Sequence, residues 1–193
     1  MRDDVARFHR WGPTYEKSLL QRLMFDRVHR VALDELGAAP LAVVVDIGCG
    51  TGRLLRAIRQ RQPNARLIGV DPAAGMIDEA RRLAPQGEFH VAPAEQLPLP
   101  DAFADVAITS VSFHHWRDQP AGVREAARIL KPGGRFILAD ILPSPFNRLL
   151  GERARTARER DELFAAAGLA PLAHRRVPWT GIWMHVVVSS ARR

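Results

Sequence analysis

The chain has 193 residues, 47% of them hydrophobic and 25% charged, with a formal net charge of +7. Those values fit one globular domain and exclude disordered, collagen-like and mucin-like chains. No run reaches the roughly 18–20 apolar residues of a membrane span, and the opening MRDDVARFHRWG has no apolar stretch of the kind a secretory leader needs. The single cysteine, Cys49, rules out an internal disulfide and a thiolate metal cluster. No metal site is expected, and a reducing, cytoplasmic setting is the default. Lys17 and Lys131 are the only lysines, so arginine dominates the 28 basic residues, and residues 143–193 hold nine basic against four acidic side chains. A basic tail reads first as a solvated face, which leaves nucleic acid as an alternative partner.

Residues 1–40 read as a helical cap. Leu19, Leu20, Leu23, Met24, Val28, Val31 and Leu33 recur at about 3.6-residue spacing until Gly37 and Pro40 stop the pattern. A core over residues 41–142 follows. Leu41–Gly48 is a continuous β-branched run, the mark of a strand buried on both faces of a parallel sheet. A glycine turn leads from it to a helix at Arg53–Arg61. The unit repeats as a strand at Ala65–Asp71, a helix at Ala73–Ala84 and a shorter strand at Glu88–Ala92. A fourth strand at Ala104–Ser112, a helix at Gly122–Leu130, a turn at Lys131–Gly134 and a fifth strand at Arg135–Ile141 continue the alternation. Residues 143–193 give a charged helix at about Leu149–Ala167 and two strand-like runs, Leu169–Val177 and Gly181–Ser190, placed for an antiparallel hairpin. The expected fold class is α/β, a doubly wound sheet in one domain over residues 1–193.

The chemistry concentrates in VVVDIGCGTGRLL, residues 43–55. A buried strand runs into Asp46, and Gly48, Gly50 and Gly52 open the next helix. Bare backbone therefore meets whatever binds at the carboxyl end of the first strand, and helix N-terminal amides add donors there. The spacing is G-x-G-x-G; a dinucleotide fingerprint needs G-x-G-x-x-G, and its last position is Arg53 here. The chain has no P-loop lysine either. Asp46, just ahead of the glycines, suits a ligand that carries a cation. Asp71 ends the second strand, where an acid accepts hydrogen bonds from ribose hydroxyls in doubly wound folds; before Pro72 it also has the form of a helix cap.

DIGCGTG, IGVDPAAGMI, APAEQLPLPDAFADVAITSVSFHHW and ARILKPGGRFILAD, in that order, resemble the class I S-adenosylmethionine-dependent methyltransferases. The likeness is greatest to the small-molecule branch called methyltransferase type 11, which includes quinone C-methyltransferase-like proteins. It covers residues 43–140 closely and the flanks loosely. The resemblance implies a Rossmann-like sheet of seven strands with a C-terminal reversed β-hairpin. It also implies transfer of a methyl group from S-adenosylmethionine to an O, N or C nucleophile of a small molecule, with S-adenosylhomocysteine as product.

Carried across by position, the resemblance has Asp46, Gly48, Cys49 and Gly50 face the methionine end of the cofactor. Asp71 would hold the ribose diol and Met76 would lie near the adenine. The family places an acidic residue and an alanine after the third strand, where this chain has Pro93–Ala94. That leaves the Ala94 amide to serve the adenine ring, and Glu95 either to reach its amino group from one place later or to start a solvent-facing helix. Ser110 and Val111 would pass the methionine amine. His114, and after it His115, stand where the fourth strand opens to substrate. They are candidate bases for an acceptor that must lose a proton, against the alternative that they pack and bond to backbone. Trp11 and Tyr15 resemble the segment that closes over the cofactor as a lid, and Tyr15 is counted among the cofactor contacts. Trp116, Trp179, Trp183 and Met184 are candidates for an acceptor pocket or for core.

The expected partner is a small-molecule acceptor, with the protein a monomer or homodimer. One alternative is an RNA or protein acceptor held by the arginine-rich tail, although SVSFHHW stands where base-amino methyltransferases commonly carry an N/D-P-P-Y/F tetrapeptide. The other is an S-adenosylmethionine-binding protein without catalysis.

Overall fold

Val43, Val44 and Val45 open β1 (Val43–Ile47), a strand buried along nearly its whole length, as a central strand of a parallel sheet must be. The computed structural model describes residues 4–11, 19–145, 153–178 and 185–193. In it β1 has β2 (Arg66–Asp71) on one side and β4 (Ala104–Ser110) on the other, both parallel. β3 (Glu88–Val91) extends the first side and β5 (Leu130–Ile141) the second. β7 (Val186–Arg192) pairs antiparallel with β5, and β6 (Ala170–Val177) antiparallel with β7. The order is β3-β2-β1-β4-β5-β7-β6, so the seven-stranded doubly wound sheet with its reversed hairpin is the fold the chain adopts.

Helices α1 (Asp4–Trp11), α2 (Leu19–Leu36), α3 (Arg53–Arg61), α4 (Ala74–Leu83), α5 (Gln119–Ile129) and α6 (Ala157–Ala166) accompany the sheet. Neighbouring residues of one strand feed opposite cores, because side chains alternate across a sheet. Val44, with Ile108 and Ile137, joins Val28, Leu36, Ile58 and Ile77. Val45, with Ile68 and Leu138, joins Val123, Ile129 and Phe164. The chain runs outward from β1 to β3 and then returns to place β4 on the far side of β1. That reversal leaves a crevice at the carboxyl ends of β1 and β4, where open α/β sheets bind ligands.

Several boundaries differ from the sequence reading. The Lys131–Gly134 turn is drawn into β5: Leu130 pairs with Ala104, while Gly133 donates to the Arg193 carbonyl and Gly134 accepts from the Arg193 amide. Neighbouring strands supply the partners that a free turn would have found in water. α5 starts three residues earlier than expected because the Asp118 side chain accepts the Ala121 amide and Pro120 follows in the first turn. α6 starts at Ala157, where Thr156 and Glu159 form a reciprocal capping box. Residues 149–152 of the expected tail helix, and the 181–184 portion of the last strand, lie outside the described residues.

Gly69 in the middle of β2 sets how closely the next layer approaches. A Cβ there would stand 2.7 Å from Cys49 Sγ and 2.7 Å from Phe89 Cδ1, nearer than packed cores tolerate. Gly69→Ala is expected to destabilise the protein by about 1–3 kcal/mol through overpacking, read as a lower urea midpoint at unchanged slope. An unchanged midpoint would mean that the loop above β2 yields freely.

Candidate active site

After β1 the backbone turns at Gly48 with φ of +75°, and a Cβ at that residue would lie 1.8 Å from Ser112 Oγ. Both the left-handed conformation and the close approach demand glycine. The end of β2 holds the loop in shape. The Val70 carbonyl accepts the amides of Gly48 at 2.7 Å and Cys49 at 3.1 Å. Asp71 Oδ2 accepts the Gly50 amide at 2.9 Å, and its Oδ1 accepts the Ala73 amide at 2.8 Å. Asp71 thus fixes the turn into α4 through the amide of Ala73, the residue ahead of the helix, without capping the helix itself, and ties the glycine loop to β2 as well. A Cβ on Gly50 would meet nothing within 4 Å, so the crest of the loop faces open space.

Asp46 is 2% exposed, and its Oδ1 has no hydrogen-bond partner among the described residues. Ser110 Oγ is likewise buried and without one. Asp46 pairs in register with Ile108, so Ser110, two residues further along β4, points to the same face at the same end of the sheet. Buried polar atoms left unpaired cost free energy, and these two share one face at the carboxyl end of the sheet. Burial, with the Asp71 charge adding to it, pushes the Asp46 carboxyl up to about 8. Burial pushes Asp71 up to about 6, against the opposing pull of the Ala73 and Gly50 amides. The Cys49 thiol is raised well above its ordinary value by burial and then by Asp71 and Asp46, which fits a packing residue beside the site and not a thiolate nucleophile.

Beyond β4 the chain makes a 3₁₀ turn over Phe113–His115. Ser112 lies against Gly48 and accepts the Trp116 indole N–H at 3.2 Å, so this turn abuts the glycine loop. His114 is 8% exposed. Its Nδ1 lies 2.7 Å from Asp140 Oδ1, and its amide donates to Asp140 Oδ2 at 3.2 Å. Burial alone would raise the Asp140 carboxyl, but the charge and hydrogen bond of His114, with Arg160, outweigh it and hold the group below the usual carboxylate range. The His115 ring sits 4.0 Å from that of His114 and meets Phe8 of α1 edge-on at 5.2 Å. α1 is fastened at a second point, where His9 Nδ1 accepts the Gly75 amide at 2.9 Å. It therefore links the first turn of α4 to the histidine turn.

The remaining expected site residues fall out differently. Met76 is buried on α4 and Ala94 is buried in the core after β3. Glu95 Oε1 accepts the Asp118 amide at 2.9 Å, which commits one oxygen to the entry of α5; the residue stands in a turn, not at a helix start. Trp116 is buried edge-on against Phe113. Tyr15, Trp179, Trp183 and Met184 lie outside the described residues, and Trp11 ends α1.

Sequence reasoning passed over Asp140 and Arg160. An acid closing a parallel strand in FILAD was a usable signal for the first; the second was hidden in a tail read as a solvated face. Arg160 is instead 0% exposed. Its guanidinium donates to the carbonyls of Asp140, Ile141, Val187 and Arg155 and to Ser189 Oγ. Other tail arginines are also engaged within the chain: Arg153 with the carbonyls of Trp116 and Arg117, Arg158 with Glu162 and Arg175 with Glu35. No described helix is long and apolar enough to cross a membrane. Among the described residues no group of three or more His, Cys, Asp or Glu is placed to hold a metal ion.

A family model described as "Methyltransferase domain" matches residues 45–138. The ubiquinone/menaquinone biosynthesis C-methyltransferase of Caulobacter sp. (strain K31) is 34% identical over 145 residues, which is 67% of this chain and 57% of that protein. The chain thus spans only part of the length of such curated relatives. Among solved structures, a chain of the complex between the Haloferax volcanii Trm112 methyltransferase activator and a methyltransferase superposes with a TM-score of 0.83 at 22% identity, covering 100% of this chain and 98% of that one. The geranyl diphosphate C-methyltransferase from Streptomyces coelicolor, solved with Mg2+, geranyl diphosphate and S-adenosylhomocysteine, gives 0.74 at 19% identity, covering 86% of this chain and 78% of that one. At those identities the structures speak for the fold alone. The sequence matches, falling on the same residues that build the glycine loop and the β4 turn, place the chain in the class I S-adenosylmethionine-dependent methyltransferase family.

Proposed function

We propose that this protein transfers a methyl group from S-adenosylmethionine to a nucleophilic O, N or C atom of a small molecule and releases S-adenosylhomocysteine. The observation that carries this reading is the pair of buried acceptors, Asp46 Oδ1 and Ser110 Oγ, that have no partner among the described residues, with the open crest at Gly50. The cofactor supplies a methyl group activated on a sulfonium, together with an amine and a ribose. Asp46 and Ser110 receive the amine, the loop leaves room for the methionine chain, and Asp71 accepts from the ribose with the lone pairs its two backbone amides leave open. α1 shields the crevice from water, and His114 takes the proton of an acceptor that must lose one. Carbon leads among the three acceptor atoms, because a relative matched in sequence is named as a ubiquinone/menaquinone biosynthesis C-methyltransferase. That likeness also favours a hydrophobic acceptor.

Titration calorimetry with S-adenosylmethionine and, separately, NADH tests the cofactor. Saturable heat with the first and none with the second is expected, and the reverse would refute the reading. Formation of S-adenosylhomocysteine with a panel of acceptors then tests transfer. Asp71→Ala should weaken cofactor binding by about 10-fold or more, since charge-assisted hydrogen bonds contribute ~1.5–3 kcal/mol. Unchanged affinity would remove Asp71 from the site. His114→Ala should lower kcat by ~100-fold or more if the acceptor needs a base, with cofactor affinity nearly intact. Equal rates would take it out of the mechanism.

Asp46 makes a separate pH prediction. Its folded-state value of about 8 lies above the ordinary 3.8, so the folded chain holds a proton that the unfolded chain releases. The stability this contributes is complete below about pH 4 and is lost as the pH rises through about 8. Asp46→Asn should therefore raise the Tm of the cofactor-free protein at pH 9 relative to wild type while weakening cofactor binding. In the wild-type protein a cationic ligand selects the carboxylate. Cofactor affinity should accordingly climb toward pH 8 with release of a proton, seen as a buffer-dependent heat of binding. Heat that does not depend on the buffer would contradict the assignment.

A further inference from the structure

We infer that Asp140 is a positioning residue for His114, fixing the imidazole proton on Nδ1 so that Nε2 is the proton-accepting nitrogen, and that the buried guanidinium of Arg160 holds Asp140 in place. The inference rests on the reading of His114 as the base. Asp140 is 1% exposed and is ringed by donors: Oδ1 accepts the Ile141 amide at 2.6 Å and faces His114 Nδ1 at 2.7 Å, while Oδ2 accepts the His114 amide at 3.2 Å. A carboxylate can only accept, so the hydrogen of the short contact belongs to Nδ1 and the ring's lone pair to Nε2. Arg160 reaches from α6 to the carbonyls of Asp140 at 2.9 Å and Ile141 at 2.8 Å, and to that of Val187 at 2.9 Å. It thereby locks the end of β5 to β7.

Among the described residues, the charged and titratable groups around His114 include Asp140 from β5, Arg160 from α6 and the neighbouring His115 ring. Arg153 is turned to the backbone carbonyls of Trp116 and Arg117. In the transfer step a bond forms between the acceptor atom and the methyl carbon as the carbon–sulfur bond breaks, its electron pair staying on sulfur. The acceptor's proton passes to Nε2. The positive charge lost at sulfur then reappears on an imidazolium that faces the Asp140 carboxylate, an arrangement that lowers the cost of placing it in a buried site.

The experiment is 15N-resolved NMR of the His114 ring in the cofactor-free protein, followed by kinetics. In the wild type the ring proton should reside on Nδ1. Asp140→Asn, which keeps the shape and loses the charge, should lower the His114 titration midpoint by about one pH unit or more. It should also cut kcat by roughly 10-fold or more, with KM and cofactor affinity within about two- to threefold, and the acid limb of the pH–rate profile should move to lower pH. Arg160→Lys retains a cation without the fork and should move the same readouts in the same direction by less; it stands in if Asp140→Asn does not fold. A ring protonated at Nε2, an unmoved midpoint or an unchanged pH–rate profile would each overturn the inference. Because the NMR needs neither cofactor nor acceptor, its failure is distinct from failure of the methyl-transfer reading, which a lack of S-adenosylmethionine binding by the wild type would show.

Discussion

One carboxylate organises the crevice. Asp71 ties the Gly50 amide with one oxygen and the Ala73 amide with the other, so the end of β2 fixes both the loop that follows β1 and the approach to α4. Val70, one residue earlier, adds its carbonyl to the amides of Gly48 and Cys49. The loop is therefore shaped by the neighbouring strand and not by its own sequence alone. Register makes this work: Asp46 sits opposite Gly69 and Ile47 opposite Val70, which delivers the loop directly over Val70 and Asp71. Gly69 leaves the volume that Cys49 and Phe89 fill. A slip of one residue would turn the Asp46 carboxyl to the opposite core, since every side chain in a strand changes face with such a slip.

The same geometry sets a conflict between stability and function. Burial raises the cost of ionising both Asp46 and Asp71, the Asp71 charge adds to that of Asp46, and Ser110 adds a hydroxyl with no partner among the described residues. A core optimised for stability would satisfy or delete these groups. Asp46 and Ser110 stand at the topological switch point, where the proposed binding of a cation-bearing ligand gives their retention a use. Strained or unsatisfied groups gather where function needs them and are tolerated because the surrounding packing over-determines their positions.

Much of this was legible before any coordinates. Period and glycine placement marked β1, α3, β2 and α4 to within a residue or two, because continuous β-branched runs and Pro or Gly stops are local signals. Asp46, Gly48, Gly50 and Asp71 came out of the same stretch, where motif and strand end coincide. Non-local decisions were not legible. Lys131–Gly134 has the composition of a turn, yet the pairing offered by Ala104 and Arg193 makes it strand. Glu95 reads as an adenine contact or the start of a solvent-facing helix until the entry of α5 offers the Asp118 amide. Arg160 looks like any other charge on a tail helix until the reversed hairpin closes over it and three backbone carbonyls converge on its guanidinium nitrogens from β5 and β7.

The two buried acids at the carboxyl ends of β1 and β5 show how one sheet assigns different tasks to the same side chain. Asp46 and Asp140 are both nearly inaccessible, yet their ionisation is displaced in opposite directions. Asp46 is buried near the Asp71 carboxylate and has an oxygen without a donor among the described residues, so its charge is expensive, a cost that the cation of the proposed ligand would offset. Asp140 has its partners built in, the His114 ring as a donor at hydrogen-bond distance and the Arg160 cation behind it, so it is ionised whether or not anything is bound. A carboxylate that must be completed by a ligand is suited to binding; one already completed by the protein is suited to holding a neighbour still. Divergent environments for chemically identical groups are how a fold separates roles at one pH. The tail, through Arg160, provides the compensation that β1 lacks.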